Sequence, residues 1–134
     1  MLSNLSVGQS VAAFQSMFLC PQNVPFLPYD RNYWTAQKPK VLALRKRLIE
    51  EEVDELMEAM RTYNKADILK ELVDIVVVCV GMADTYGWDF DEAFQRVHQS
   101  NMSKVGKNGK PKYRSDGKVL KSENYVPPDL SDLV

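Results

Sequence analysis

Apolar residues recur at helical spacing through most of the first hundred residues of this chain. In the first segment Val7, Val11, Phe14 and Phe18 are separated by four and three positions, which predicts an amphipathic helix over residues 6–18. Four prolines between residues 21 and 39 then predict an extended connection, because proline ends regular structure.

Two further helices are predicted to form a hairpin. Residues 39–60 are strong helix formers without glycine or interior proline, so they predict one long helix. Tyr63–Lys65 predicts a tight connection, and a second helix follows over residues 66–86. Gly87 then stands where a left-handed residue ends many helices.

The pattern changes in the last third of the chain. Asp89 and Glu92 resemble a capping box and predict the start of a helix that ends near Lys104. The pairs 108–109 and 116–117 are turn signals, which predict a short hairpin in an irregular segment. The predicted fold class is therefore all-α, a helical bundle with an irregular basic C-terminal segment.

Length and composition are consistent with one soluble globular domain over residues 1–134, with 45% hydrophobic and 26% charged residues. The net charge of −1 conceals an uneven distribution. Lys104–Lys121 holds seven basic residues and one acid, whereas acids collect in residues 50–58. The longest apolar run, residues 75–82, is too short to span a bilayer, so no membrane partner is predicted.

The cysteines and the N-terminus favour a reduced cytoplasmic protein. Cys20 and Cys79 form no Cys-x-x-Cys motif, and with His98 as the single histidine a zinc site is disfavoured. We expect His98 to lie on a helix surface rather than to act in catalysis. No basic segment followed by an apolar core begins the chain, so no signal peptide is predicted.

Carboxylates interrupt the apolar stripes of the two hairpin helices. Residues three and four apart share a helix face, so acids of the long helix project with Leu48 and Ala59. Acids of the second helix likewise share an arc with Ile75 and Val78. These inward-facing acids are Glu51, Glu52, Glu55, Glu71 and Asp74.

The two acidic groups are symmetric about the predicted turn. Glu52 and Glu55 precede Tyr63 by the same mean separation at which Glu71 and Asp74 follow it. At about 1.5 Å per residue, both pairs lie about 14 Å from the turn. In an antiparallel hairpin they would therefore face each other at one level.

Such acids need a compensating charge. Unpaired buried carboxylates are costly, and no Lys or Arg lies on the two stripes beside them. Hard divalent cations prefer oxygen ligands, so we predict Mg²⁺ or Mn²⁺, with two or more ions per site. The alternatives are a solvated acidic face, or a di-iron bundle, which normally needs Glu-x-x-His pairs that are absent here.

The acidic motifs resemble those of a known superfamily. Arg47–Ala59, which contains Glu-Glu-x-x-Glu, and Glu71–Ile75, which contains Glu-x-x-Asp, resemble the all-α nucleoside triphosphate pyrophosphohydrolases. That superfamily includes MazG, the dimeric dUTPases and phosphoribosyl-ATP pyrophosphohydrolase. Further segments resemble a MazG-like subgroup, and most of all phage enzymes of the MazZ type that act on dGTP and GTP. Those segments are residues 100–104, 109–111, 116–121 and 125–129.

The resemblance implies a hydrolase that converts a nucleoside triphosphate to a monophosphate and pyrophosphate. It implies a homo-oligomer, a dimer or tetramer, and a host-cytoplasm location if the gene is a phage gene. By motif position Glu51 would bind a further ion or orient water, and Asn101 and Lys104 would contact phosphates. The metal ligands implied are Glu52, Glu55, Glu71 and Asp74.

Other roles stay open at this stage. Lys107, Lys110 and Lys118 either stabilise the leaving group with Lys104 or form a solvated basic tail. Three aromatic residues, Trp34, Tyr33 and Phe14, either stack on a base or seal the bundle or an interface. Arg45 and Arg47 either pair with acids or phosphate or lie on the surface.

Two rival functions are a nucleic-acid-binding module that uses the basic tail and a helical module that binds nucleotide without turnover. The first leaves the inward-facing acids unexplained, so no nucleic-acid partner is expected.

Overall fold

The computed structural model describes residues 4–18 and 38–134. Within these ranges it contains four α-helices, one short 3₁₀ helix at residues 131–133, and no strand. The prediction of an all-α fold is therefore confirmed. The α-helices are α1 (Val7–Phe18), α2 (Lys38–Arg61), α3 (Lys65–Thr85) and α4 (Phe90–Met102).

A short turn joins α2 and α3, as the sequence predicts. Tyr63 adopts a positive φ of 54°, which reverses the chain direction between the helices. The Asn64 side chain then accepts hydrogen bonds from the backbone N–H groups of Ala66 and Asp67, both at 3.2 Å. This cap satisfies donors that the first turn of a helix leaves unpaired. The hairpin therefore begins its second helix at a defined residue.

The core of the first part of the chain lies where α1 and α2 both pack against α3. Its buried apolar side chains are small or medium-sized, and they come from all three helices. They are Val11, Leu56, Ala59, Val80 and Ala83.

One face of α3 is more exposed than its apolar sequence predicts. Leu69 is 65% exposed and Val73 is 53% exposed, and Leu72 and Val76 are exposed as well. A helix that is apolar nearly all round is usually buried, but α3 keeps an exposed face in this chain taken alone. The reason is that α1 and α2 cover other faces of α3 and leave this one uncovered.

The chain divides into two compact units, Met1–Trp88 and Asp89–Val134. The prediction of a single domain over residues 1–134 stays a prediction. In the second unit the Asp89 side chain caps α4 by accepting a hydrogen bond from the Glu92 N–H at 3.0 Å, as expected. The helix ends at Met102, near the predicted end, because Ser103 turns back and its Oγ donates to the Ser100 carbonyl.

The segment after α4, residues 103–134, is the basic tail, and it consists mainly of turns and irregular segments held by specific hydrogen bonds. Gly109 and Gly117 have φ values of 70° and 90°, which fits the two predicted turns. The predicted hairpin is limited to an isolated antiparallel bridge between Tyr113 and Val119. Near the C-terminus Arg96 binds both carboxylate oxygens of Asp132, one of them at 3.0 Å.

Among the described residues no helix is both long and apolar enough to cross a membrane. Cys79 is a free thiol in this part of the chain, and His98 is exposed on α4 as expected. Cys20 lies outside the described residues.

Candidate metal centre

Three carboxylates converge from the two helices of the hairpin. Glu52 and Glu55 lie one turn apart on α2, and Glu71 lies opposite them on α3. One oxygen from each of the three side chains lies within 4.8 Å of the other two. The level placement that the sequence predicts for these three acids is therefore present in the structure.

Burial differs sharply across this acidic cluster of Glu52, Glu55 and Glu71. Glu71 is only 7% exposed, Glu52 is half-buried, and Glu55 is exposed. The cluster thus has a closed end at α3 and an open side at Glu55. A ligand from solvent can reach Glu55 while Glu71 stays shielded.

Glu71 carries an unsatisfied acceptor. Its Oε2 is buried and has no hydrogen-bond partner among the described residues. Leaving a buried polar atom unpaired costs about 1–3 kcal/mol, and more when the group is charged. A cation bound to this oxygen would remove that cost, so the geometry fits a metal ligand better than a structural acid.

The charges of the cluster act on one another. The pKa of the Glu52 carboxyl is raised, first by burial and then by the negative charges of Glu55, Asp74 and Glu71. Lys70 opposes this rise. Four acids therefore repel one another at this point in the fold.

One cation does lie beside the acids, contrary to the prediction. The Lys70 Nζ lies 3.0 Å from Glu71 Oε1 and 2.7 Å from Asp74 Oδ2. Lys70 precedes Asp74 by four residues and so shares its helix face, and its flexible side chain also reaches Glu71. One ammonium still leaves the four carboxylates with excess negative charge.

Two predicted ligands lie outside the group of three. Asp74 is half-buried and close enough to raise the pKa of Glu52, but its oxygens do not share the 4.8 Å group. Glu51 is exposed and also lies outside that group. Their roles as ligands or catalytic groups stay predictions.

The proposed phosphate ligands belong to the second unit. Asn101, Lys107, Lys110 and Lys118 are exposed, and Lys104 is half-buried. Their predicted contacts with substrate stay predictions.

Of the three aromatic candidates for base stacking, only Phe14 lies within the described residues. Trp34 and Tyr33 lie outside the described residues. Phe14 is 48% exposed on α1. Stacking by any of these three residues stays a prediction.

A buried polar group near the other end of the hairpin has members that sequence reasoning missed. Gln15 and Arg45 are both buried, and Gln15 of α1 donates a hydrogen bond to Asp84 of α3. The surface position considered for Arg45 was wrong, whereas Arg47 is exposed. The available signal was position, because Arg45 precedes Glu52 by seven residues and therefore shares its helix face.

Comparison with known proteins agrees with this helical, acid-bearing hairpin. The model of the family described as phosphoribosyl-ATP pyrophosphohydrolase matches residues 11–101, which include all five predicted acidic ligands. The chain belongs to this family.

The chain is also similar to an uncharacterized protein of Acanthamoeba polyphaga mimivirus. The two are 32% identical over 131 residues, which cover 94% of this chain and 47% of the relative. The chain therefore spans about half the length of that relative.

Proposed function

We propose that the chain is a divalent-metal-dependent hydrolase that converts a nucleoside triphosphate to a nucleoside monophosphate and pyrophosphate. The observation that carries this proposal is the convergence of Glu52, Glu55 and Glu71 oxygens within 4.8 Å. The family match supports the general class of reaction, since its description names a pyrophosphohydrolase. The metal dependence and the nucleoside triphosphate substrate go beyond what that match supports and belong to the proposal.

The donor set fits Mg²⁺ or Mn²⁺. Carboxylate oxygens are the ligands that these hard ions prefer, and the donors here include no histidine or thiol. The orphaned Glu71 Oε2 supplies a shielded donor, and the exposed Glu55 leaves one side open to substrate. When bound, such ions would neutralise phosphate charge and activate a water.

The acidic and basic residues of the protein would have separate roles in the reaction. Glu52, Glu55 and Glu71 would hold ions, with Asp74 as a fourth ligand and Glu51 positioning the attacking water. The family resemblance supports Asn101 and Lys104 as phosphate ligands. Lys107, Lys110 and Lys118 would stabilise the leaving pyrophosphate together with Lys104. A positive charge at that place would stabilise the leaving group as its negative charge grows.

We also propose that guanine nucleotides, dGTP and GTP, are preferred. The support is the similarity of residues 100–129 to the MazZ-type subgroup. Phosphoribosyl-ATP is the substrate that the family description names, so it belongs in any substrate test.

A homo-oligomer is part of the proposal. The exposed apolar residues of α3 recur at helical spacing, from Leu69 through Leu72 and Val73 to Val76. A contiguous apolar surface of this kind commonly packs against a second subunit. We expect a dimer or tetramer in solution. The molar mass measured by light scattering will show which of the two forms.

The decisive experiment incubates the protein with ribo- and deoxynucleoside triphosphates and phosphoribosyl-ATP in Mg²⁺ or Mn²⁺. Pyrophosphate and phosphate are measured separately. We expect metal-dependent pyrophosphate release and no phosphate.

The matched variants are Glu55→Gln in the cluster and Glu58→Gln, which removes an exposed acid on the same helix. Glu55→Gln should abolish turnover, whereas Glu58→Gln should retain it. Release of phosphate instead, or an active Glu55→Gln enzyme, would refute the assignment. Nucleotide binding without turnover, or metal-independent retention of DNA, would favour one of the two rival functions.

A further inference from the structure

Arg45 is a buried cation with one N–H group left unpaired. The residue is 7% exposed, and its Nε has no hydrogen-bond partner among the described residues. Burial lowers the pKa of Arg45, while the Asp84 charge nearby raises it. A guanidinium carries five N–H donors in a rigid fork, and a buried donor without a partner is costly. Such a group points to a ligand that accepts hydrogen bonds.

Polar groups from two other helices surround this arginine. Gln15 of α1 donates to the Gly81 carbonyl at 3.1 Å and to Asp84 Oδ2 at 2.6 Å. A Cβ on Gly81 would lie 2.7 Å from Gln15 Oε1 and 3.2 Å from Arg45 Nη1. Because Gly81 has no side chain, both polar side chains can pack directly against the backbone of α3. We name Gln15, Arg45 and Asp84 the buried polar triad.

The hydroxyl of Tyr86 adds a second unpaired group beside the triad. Its Oη is buried without a hydrogen-bond partner among the described residues, and Tyr86 interacts electrostatically with Arg45. The Tyr86 ring stacks on Trp88, with ring centroids 4.8 Å apart. Asp84 and Tyr86 are only partly buried, so the triad is not sealed from solvent.

The distance between the triad and the acidic cluster matches the length of a nucleotide. Arg45 and Glu52 are seven residues apart, so they share one face of α2 at a separation of about 10 Å. A nucleoside monophosphate spans this distance from its phosphate to the far edge of its base. A phosphate held by metal ions at the acidic cluster would therefore place a base near the triad.

The chemistry of the triad selects among ligands. A phosphate would be repelled by the Asp84 carboxylate, whereas a base edge can present an acceptor to Arg45 and a donor to Asp84. Arginine commonly pairs with the O6 and N7 acceptors of guanine. Guanine also carries the N1–H and N2–H donors that a carboxylate accepts. Adenine has an amino group and a bare N1 at these places, which reverses the pattern.

We propose that the buried polar triad recognises the base of the substrate and selects guanine over adenine. This proposal rests on the proposed function, since it assumes that the acidic cluster holds the phosphates. It assigns the guanine preference to Arg45 as donor and Asp84 as acceptor, with Gln15 positioning the Asp84 carboxylate.

The test measures the binding of dGMP, dIMP and dAMP by calorimetry in Mg²⁺, where no turnover occurs. Hypoxanthine keeps O6 and N1–H but lacks the 2-amino group, so dIMP should bind more like dGMP than like dAMP. We expect wild-type protein to bind dGMP about tenfold or more tightly than dAMP. Equal affinities, tighter dAMP binding, or no measurable binding of any of the three would overturn the proposal.

Two variants and one control locate the preference. Arg45→Lys keeps the charge but loses the fork, so the dGMP preference should fall by about tenfold. Arg47→Lys, the same change at an exposed position of α2, should leave the preference unaltered. If Arg45→Lys does not fold by circular dichroism, the partly buried Asp84→Asn serves instead and should lose the preference as well.

An unchanged preference in a folded Arg45→Lys protein, or in Asp84→Asn, would overturn the proposal. Selective, Arg45-dependent dGMP binding in a protein that releases no pyrophosphate would instead sink only the proposed hydrolysis.

Discussion

The acidic cluster and the basic tail carry opposite charges on very different backbones. Glu52, Glu55 and Glu71 project from two long helices, so helical geometry holds their oxygens together. The tail lysines project from turns and irregular segments, and most of them are exposed. Side chains on rigid elements are positioned more accurately than side chains on loops. We therefore expect catalysis to tolerate changes in the tail better than changes in the cluster.

The largest expected effects are in the acidic cluster, where Glu71, its least exposed acid, should matter as much as Glu55. Glu71→Gln removes the shielded negative ligand, so pyrophosphate release should fall by about a thousandfold or more, comparable to losing a key charge-stabilising group. Helical circular dichroism should be retained, because glutamine has nearly the same size. The Glu58→Gln control should stay active. A Glu71→Gln enzyme within tenfold of wild type would remove this residue from the proposed site.

The next effect is at Lys104, the half-buried lysine where the tail begins. Lys104→Ala should lower kcat/KM by about tenfold to a hundredfold, because it removes the positive charge that we propose to contact a substrate phosphate. Single alanine substitutions at the exposed Lys107, Lys110 and Lys118 should each cost less. Steady-state pyrophosphate release measures all four. Larger losses at the exposed lysines than at Lys104 would reverse the expected order.

A smaller effect concerns Lys70, which pairs with Glu71 and Asp74. In Lys70→Met the ammonium no longer competes for these carboxylates, so Mn²⁺ should bind several-fold more tightly in a calorimetric titration. Without metal the melting temperature should fall, because the repulsion among the acids is then uncompensated.

The matched control for Lys70 is Lys46→Met, which breaks an exposed ion pair with Glu50 at 3.6 Å. It should alter neither the Mn²⁺ affinity nor the melting temperature appreciably, because surface pairs contribute little. Weaker Mn²⁺ binding in Lys70→Met would show that the lysine assists metal binding instead of competing.

The smallest effect is confined to the C-terminus of the tail. The hydrogen bond from Arg96 lowers the pKa of Asp132 below its ordinary value of 3.8. A carboxyl whose pKa is lowered by folding stabilises the folded state at any pH above its pKa in the unfolded chain. This stabilisation is lost as the pH falls through the lowered pKa of the folded state. Hydrogen exchange at the Leu133 amide, which bonds to the Leu130 carbonyl at 3.0 Å, should therefore lose protection in acid.

Arg96→Gln serves as the control for this acid effect. It removes the charge that lowers the pKa of Asp132, so protection at Leu133 should be weak at neutral pH and should change little in acid. An acid dependence equal to that of wild type would assign the effect to another group.

The acidic hairpin is the part of the site that sequence reasoning predicted best. Helix periodicity places Glu52 and Glu55 on one face, and the turn at Tyr63 sets the level at which Glu71 meets them. Both are local properties, so they can be worked out from spacing alone. The same reasoning missed Lys70, although its spacing of four residues from Asp74 was a local signal for this ion pair.

The sequence by itself determined the four helices, the turn between α2 and α3, and the shared level of three acids. These features depend on local backbone preference and on counting residues. Only the tertiary structure decided that Glu71 is shielded while Glu55 is open, and that Gln15 meets Asp84 from 69 positions away. The extent of burial and the long-range pairing depend on how the helices pack, which spacing along one helix does not fix.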